Sequence, residues 1–252
     1  MANNMRYFIG NWKMFGVPKS INILKKLNFF INSDKNRNKY RVIVTPPFTL
    51  IESFAKYFKN KKISIGAQNC FHKDHFSSNT GSVSAYMIKR LNSEYIIIGH
   101  SDNRGEGDTD KILKLKVKNA LKNNLTVIFC IGENKFQKKN KKTYNILKKQ
   151  LFNVLEKKFK KNKIIIAYEP IWSIGTGLIP SSDELFSTTR FIKKTLTKVF
   201  KSNKTPPVLY GGSVDNSNIH IFKKIRIIDG FLIGGASKSY KKFIDIIKNY
   251  YR

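Results

Sequence analysis

The 252-residue sequence predicts an α/β protein, a single closed (β/α)8 barrel over residues 1–252, and three observations carry that prediction. Eight short apolar runs rich in Ile, Val, Tyr and Phe recur along the chain. Amphipathic segments of helical spacing separate them, and no long Pro/Gly/Ser linker divides the chain. A short continuous apolar run reads as a parallel strand buried on both faces. Eight strand–helix units in about 250 residues match the count and size of a closed barrel.

The first run, residues 7–9, leads into Gly10-Asn11-Trp12-Lys13-Met14-Phe15-Gly16. An open doubly wound sheet, the main rival, would place a dinucleotide fingerprint there, and this glycine spacing does not supply one. The second and third runs cover residues 41–45 and 63–67, and the fourth, 95–99, precedes His100, Ser101 and Asp102. Residues 111–122 set Ile112, Leu115, Val117 and Leu121 among lysines, the pattern of a helix with one solvated face. After the fifth run, 125–130, the Lys/Asn-rich residues 134–142 read as a solvated loop leading into a long helix through Lys158. The sixth run, 163–168, ends at Glu169-Pro170; the seventh, 208–210, precedes Gly211-Gly212-Ser213; the eighth, 230–233, precedes Gly234-Gly235-Ala236-Ser237.

In a barrel the working residues stand at the C-terminal ends of the strands, so these polar groups converge on one mouth. Glycines there let backbone N–H groups approach a ligand and attract phosphate. One Gly-Gly would be only a tight turn; two at adjacent strand ends, with Gly175-Thr176-Gly177 nearby, favour a phosphate cradle. Glu169 closes an apolar strand, where desolvation raises a carboxyl's pKa and basicity. Alone it could be a capping or salt-bridged carboxylate, His100 alone a core histidine, and Lys13 alone one of many lysines. Together, a base, a neutral electrophile, a fixed cation and a phosphate nest meet the needs of proton abstraction beside a carbonyl, as in aldose–ketose isomerisation.

Composition bounds the rest. A hydrophobic fraction of 41% can fill a core, which excludes a disordered tail protein. Forty-eight Lys+Arg against 16 Asp+Glu give +32, a balance that makes a polyanion the first partner to test. Lys, Asn, Ile and Phe are all spelled by A/T-rich codons, so mutational bias is the preferred source of that charge, and nucleic-acid binding is expected to be at most non-specific. Cys70 and Cys130 build no disulfide framework, so a reducing cytoplasm is expected. Neither a secretory leader nor a membrane span is expected from the apolar runs. His72 and His75 share a loop without further ligands, and neither a metal nor a cofactor is expected.

The motifs resemble the triosephosphate isomerase family through nearly the whole chain, and with it the TIM barrel. The resemblance is carried by Gly10-Asn11-Trp12-Lys13, Gly66-Ala67-Gln68-Asn69, Gly99-His100-Ser101 and Cys130-Ile131-Gly132-Glu133. It continues through the motif at residues 167–177, Tyr210-Gly211-Gly212-Ser213-Val214 and the motif at residues 229–237. The roles that follow are implied by that resemblance, whose tuning of base and imidazole is already known for the family. Glu169 shuttles a proton between adjacent carbons of a triose phosphate, a step of glycolysis and gluconeogenesis. His100, neutral, donates to the enediolate oxygen, Lys13 supplies positive charge, and Asn11 an amide donor. Gly175, Ser213, Gly234 and Gly235 hold the phosphate. Residues 170–180 form a lid in which Ile174 clamps the base together with Leu232. Asp102 pairs with Lys13, Ser101 and Tyr210 support the site, and a loop at about 70–81 carries Thr80 into a second copy, giving a homodimer.

Departures accompany the resemblance. The family's Glu-Arg-Arg is Asp102-Asn103-Arg104 here, its next Glu corresponds to Asp108, and its acidic residue after the loop glycine is Ser82. The lid ends in Leu178-Ile179-Pro180, where Pro180 lacks the N–H that bonds the tyrosine corresponding to Tyr210. A closed lid weaker by about 1 kcal/mol is therefore expected. Ser181 and Glu184 are expected to form a capping box. Two rival readings stand beside the isomerase: a polyanion-binding barrel without efficient catalysis, and another phosphate-handling barrel enzyme.

Overall fold

The computed structural model describes residues 5–252; residues 1–4 of the expected domain lie outside the described residues. Its strands are β1 (Arg6–Asn11), β2 (Tyr40–Thr45), β3 (Ile63–Ala67), β4 (Tyr95–Ile98), β5 (Thr126–Ile131), β6 (Ile164–Tyr168), β7 (Val208–Tyr210) and β8 (Gly230–Ile233). They close into a barrel in chain order, every neighbouring pair parallel. The register from Tyr7↔Gly230 to Gly10↔Ile233 seals β1 against β8. The eight apolar runs are these eight strands, with modest shifts at their ends. Closure leaves no open sheet edge, the reason a wholly parallel sheet can end without an unpaired strand.

Two apolar layers explain why the runs are continuous rather than alternating. Ile9, Ile43, Ile97, Ile128, Ile165 and Leu209 fill the barrel interior. Their strand neighbours Phe8, Val42, Ile96, Val127, Ile164 and Val208 pack outward against the helices. Successive side chains on a strand take opposite faces, and both faces here are covered.

Three local expectations are corrected. The helix Asp110–Lys122 buries Leu113 with Val117 and Leu121, whereas Leu115 is exposed. Lys116 joins the buried face because Asp108 takes its ammonium at 2.7 Å. Residues 134–142 are not a plain loop: the Asn134 side chain and Gln137 cap each other at the start of a short helix, Lys135–Lys139. The long helix runs Thr143–Val154 and stops short of Lys158. The chain turns extended at Leu155, which lets Glu156 reach Lys114 and buries Phe159. Finally, the capping box at Ser181 is half made. Its hydroxyl accepts from the Glu184 N–H, while the Glu184 carboxylate pairs with Lys138. Among the described residues, no helix is long and apolar enough to cross a membrane.

Candidate active site

The C-terminal ends of the strands surround a cavity of about 550 Å³. Asn11, Lys13, His100, Glu169, Ile174, Gly175, Ser213, Leu232, Gly234 and Gly235 all line it, so every residue expected to touch substrate is brought to one place. Asp102, Ser101 and Tyr210 stand behind this lining rather than in it.

Glu169 follows β6 directly and is fixed by its backbone, whose N–H donates to the Ile131 carbonyl at 2.7 Å. The residue is 4% exposed. Oε1 lies 3.5 Å from His100 Nε2, beyond an ordinary hydrogen bond, and Oε2 meets no protein donor. Burial raises this carboxyl above its ordinary value of 4.5, against smaller opposing pulls from His100, the Cys130 thiol and Lys13. A carboxylate so placed is a poorly solvated base with one oxygen left without a partner.

His100 leaves β4 and caps the short helix Ser101–Gly105, its Nδ1 accepting the Asp102 N–H at 3.1 Å. The Asp102 carboxylate also approaches Nδ1, at 3.5 Å, but it is too distant and too solvated to compete with that N–H. The lone pair of Nδ1 is therefore engaged, which puts the ring proton on Nε2, facing Glu169 and the cavity. Ser101, half-buried, is the first residue of the helix.

Lys13 holds left-handed backbone geometry, φ 54°, unusual for a residue with a side chain. Three contacts hold it there. The Asn11 Oδ1 accepts its N–H at 3.0 Å, Gln68 donates to its carbonyl at 2.8 Å, and its ammonium reaches Asp102 at 3.1 Å. The shorter Asp102 side chain thus still meets Lys13. Both partners are substantially solvated, so the pair orients the ammonium more than it stabilises the fold. Asp108 likewise occupies a paired position, on Lys116, which also reaches Asn69 at 3.0 Å.

The cradle glycines leave space rather than relieve crowding. A Cβ built on Gly175, Gly234 or Gly235 would meet nothing within 4 Å, because the cavity lies there. Ser237 shapes the turn by donating from both N–H and hydroxyl to the Gly234 carbonyl, and Trp12 donates to the Ser237 carbonyl. Gly211 is different: a Cβ there would sit 2.6 Å from Glu169 Cγ.

The segment after Glu169 makes one turn at Ile171–Ser173, then passes Ile174 and Gly175 across the cavity mouth. Pro180 brings no N–H to Tyr210, but the phenol is not stranded: it bonds the Ser173 hydroxyl at 2.9 Å. Tyr210 is thus joined to the segment by a second bond, beside the one that Pro180 cannot make. Three supporting residues went unread in the sequence: Gln68, Ser173 and Glu133. The buried Glu133 carboxylate accepts from Trp172 Nε1 and Tyr168, and its carbonyl accepts the Ile171 N–H, pinning the start of the segment. Burial raises the Glu133 carboxyl, with these hydrogen bonds pulling the other way. All three stand inside the family motifs, Ser173 in that of residues 167–177, which was the one signal available for them.

The family model for triosephosphate isomerase matches residues 6–250. The chain is 37% identical over 246 residues to the triosephosphate isomerase of Thermodesulfovibrio yellowstonii, covering 96% of this chain and 98% of that one. It is 36% identical over 257 residues to that of Dictyostelium discoideum, covering 99% and 98%. The crystal structure of triosephosphate isomerase from Bartonella henselae superposes with a TM-score of 0.88 at 30% identity, over 98% of this chain and 99% of that one.

Proposed function

The chain belongs to the triosephosphate isomerase family, and from that premise we propose that Glu169, His100 and Lys13 carry the chemistry. The reaction is the interconversion of dihydroxyacetone phosphate and D-glyceraldehyde 3-phosphate through an enediolate, in glycolysis and gluconeogenesis. Glu169 removes a proton from the carbon beside the carbonyl. Its burial makes this carboxylate a stronger base than a solvated one. The His100 Nε2–H donates to the carbonyl oxygen as negative charge grows there, and the Lys13 ammonium stabilises the same charge. The hydroxyl proton of the enediolate passes to the former carbonyl oxygen, Glu169 returns the carbon-bound proton to the neighbouring carbon, and the carbonyl re-forms at the position that gave up its hydroxyl proton.

The phosphate rests on the N–H groups at Gly175, Ser213, Gly234 and Gly235, with Asn11 beside Lys13. Residues 170–180 act as the lid, and Ile174 and Leu232 exclude water from the base; both line the cavity with Glu169. No cofactor or metal takes part in this reading. The loop at about 70–81 carries Thr80 into a second copy of the chain. The exposed side chains of Met14, next to Lys13, and Phe76, within the loop, support that homodimer. Two buried free cysteines agree with a cytoplasmic home.

The observation that carries the assignment is the buried Glu169 carboxylate facing the Nε2 of His100 across one cavity. Wild type and Glu169→Gln, assayed in parallel for conversion of glyceraldehyde 3-phosphate, test it. The variant should lose at least about a hundredfold in kcat, the low end for general-base catalysis. Equal turnover by both would remove Glu169 from the mechanism.

A further inference from the structure

The proposed lid is tied down at one buried hydroxyl. Ser173 is fully buried, and its Oγ lies 2.5 Å from the Leu178 carbonyl, 2.9 Å from the Tyr210 hydroxyl and 3.3 Å from the Ser213 nitrogen. Donor and acceptor roles are then forced. The Leu178 carbonyl can only accept, so the single Ser173 proton goes to it. Tyr210 must donate, and the Ser213 N–H takes the remaining lone pair. The hydroxyl, itself in the first half of the lid, is used to capacity by partners from the lid's second half, from β7 and from the cradle.

Two further observations agree with a purpose-built contact. A Cβ at Gly212 would lie 2.2 Å from the Tyr210 hydroxyl and 2.6 Å from Ser173 Oγ, so a bare backbone there is what lets the two hydroxyls meet. Pro180, buried at the far hinge, has no N–H to offer.

The geometry points to Ser173 as a positioning residue of the isomerisation, coupling phosphate in the cradle to the lid over Glu169 through one oxygen. The inference rests on the assignment of Glu169 and the cradle made above. The Ser213 N–H has one hydrogen, and Ser173 and a bound phosphate oxygen both draw on it. Phosphate that shifts this donor alters the contact holding Leu178, and linkage requires the lid to affect phosphate in return. A lid held in place also keeps water from the enediolate, which otherwise expels its phosphate and leaves methylglyoxal. A buried serine that only satisfied nearby polar groups would change stability and nothing else.

Three variants, Ser173→Ala, Tyr210→Phe and the pair combined, test this against wild type. Methylglyoxal formed per isomerisation should rise at least threefold in each single variant. The double variant should be no worse than the worse single, because both changes break the same contact. Hydrogen exchange at residues 174–178 supplies a readout independent of turnover. Away from Gly175, whose N–H the phosphate would itself cover, saturating inorganic phosphate should change it in wild type and leave it unchanged in Ser173→Ala. Unchanged leakage in a folded Ser173→Ala, multiplied effects in the double variant, or an equal response to phosphate at residues 176–178 would each overturn the inference. Should Ser173→Ala not fold, Ser173→Cys, which fills the same space with a weak hydrogen-bonding group, takes its place. Failure of the underlying assignment reads differently: wild type would not isomerise, or Glu169→Gln would isomerise as well as wild type.

Discussion

Glu169 gains its basicity from a deficit of partners. Oε2 has no donor, and the distant imidazole, the Cys130 thiol and Lys13 only partly offset the loss of water, so burial raises the carboxyl above 4.5. A raised carboxyl binds its proton more tightly folded than unfolded, so the charge costs stability as pH rises through the shifted value. Glu169→Gln removes that cost. Its melting temperature should exceed that of wild type at pH 7, and the excess should shrink as pH falls from the raised folded value towards about 4.5, below which both states hold the proton and the cost is gone; a constant difference across pH would contradict the burial argument. Gly211→Ala places a Cβ 2.6 Å from Glu169 Cγ, too close to be met without moving that side chain. It should lower stability by about 1–3 kcal/mol, as overpacking does, and depress kcat by displacing the base, seen by thermal melts and steady-state kinetics. Glu169, His100 and Lys13 were legible in sequence because each follows an apolar run that becomes a strand. The tautomer of His100 was not, since the Asp102 N–H fixes it only once the helix Ser101–Gly105 exists.

Among the elements, strands were the most legible and the segments between them the least. A strand buried on both faces leaves an unbroken apolar signature, as at Ile96-Ile97-Ile98. The end of the helix Thr143–Val154 leaves none: Lys157 and Lys158 are sound helix formers, yet Leu155 turns away so that Glu156 can pair with Lys114. Ser173 was hidden for a similar reason, its partner Tyr210 lying 37 positions along the chain on another strand. The lid hinge changes meaning in consequence. Pro180 looked like a lost hydrogen bond, but Tyr210 already has a partner. Pro180→Ala should therefore change the methylglyoxal fraction less than twofold, a small-effect range given that a net hydrogen bond contributes about 1 kcal/mol. A fall much beyond that, measured by trapping methylglyoxal during turnover, would restore the simpler hinge reading.

The whole molecule couples a largely apolar barrel interior to a strongly positive overall charge. Strand closure was readable from the count and spacing of runs, because a parallel sheet with seven crossovers has few other ways to hide its edges. The +32 charge was equally plain, but its use was not. A basic field concentrates an anionic triose phosphate near the mouth, and salt screens it within about 10 Å at 0.1 M. Raising sodium chloride from low to physiological strength should lower kcat/KM while leaving kcat nearly constant. Binding of a random DNA duplex should vanish over the same range, and duplex binding that survives physiological salt would favour a polyanion role.

The central claim is that one buried carboxylate moves the proton. Exchange of solvent deuterium into dihydroxyacetone phosphate, followed for wild type and Glu169→Gln under the same conditions, tests it most directly. Exchange and isomerisation should fall together in the variant, by at least about a hundredfold. Exchange that continues at the wild-type rate without that carboxylate would contradict the account.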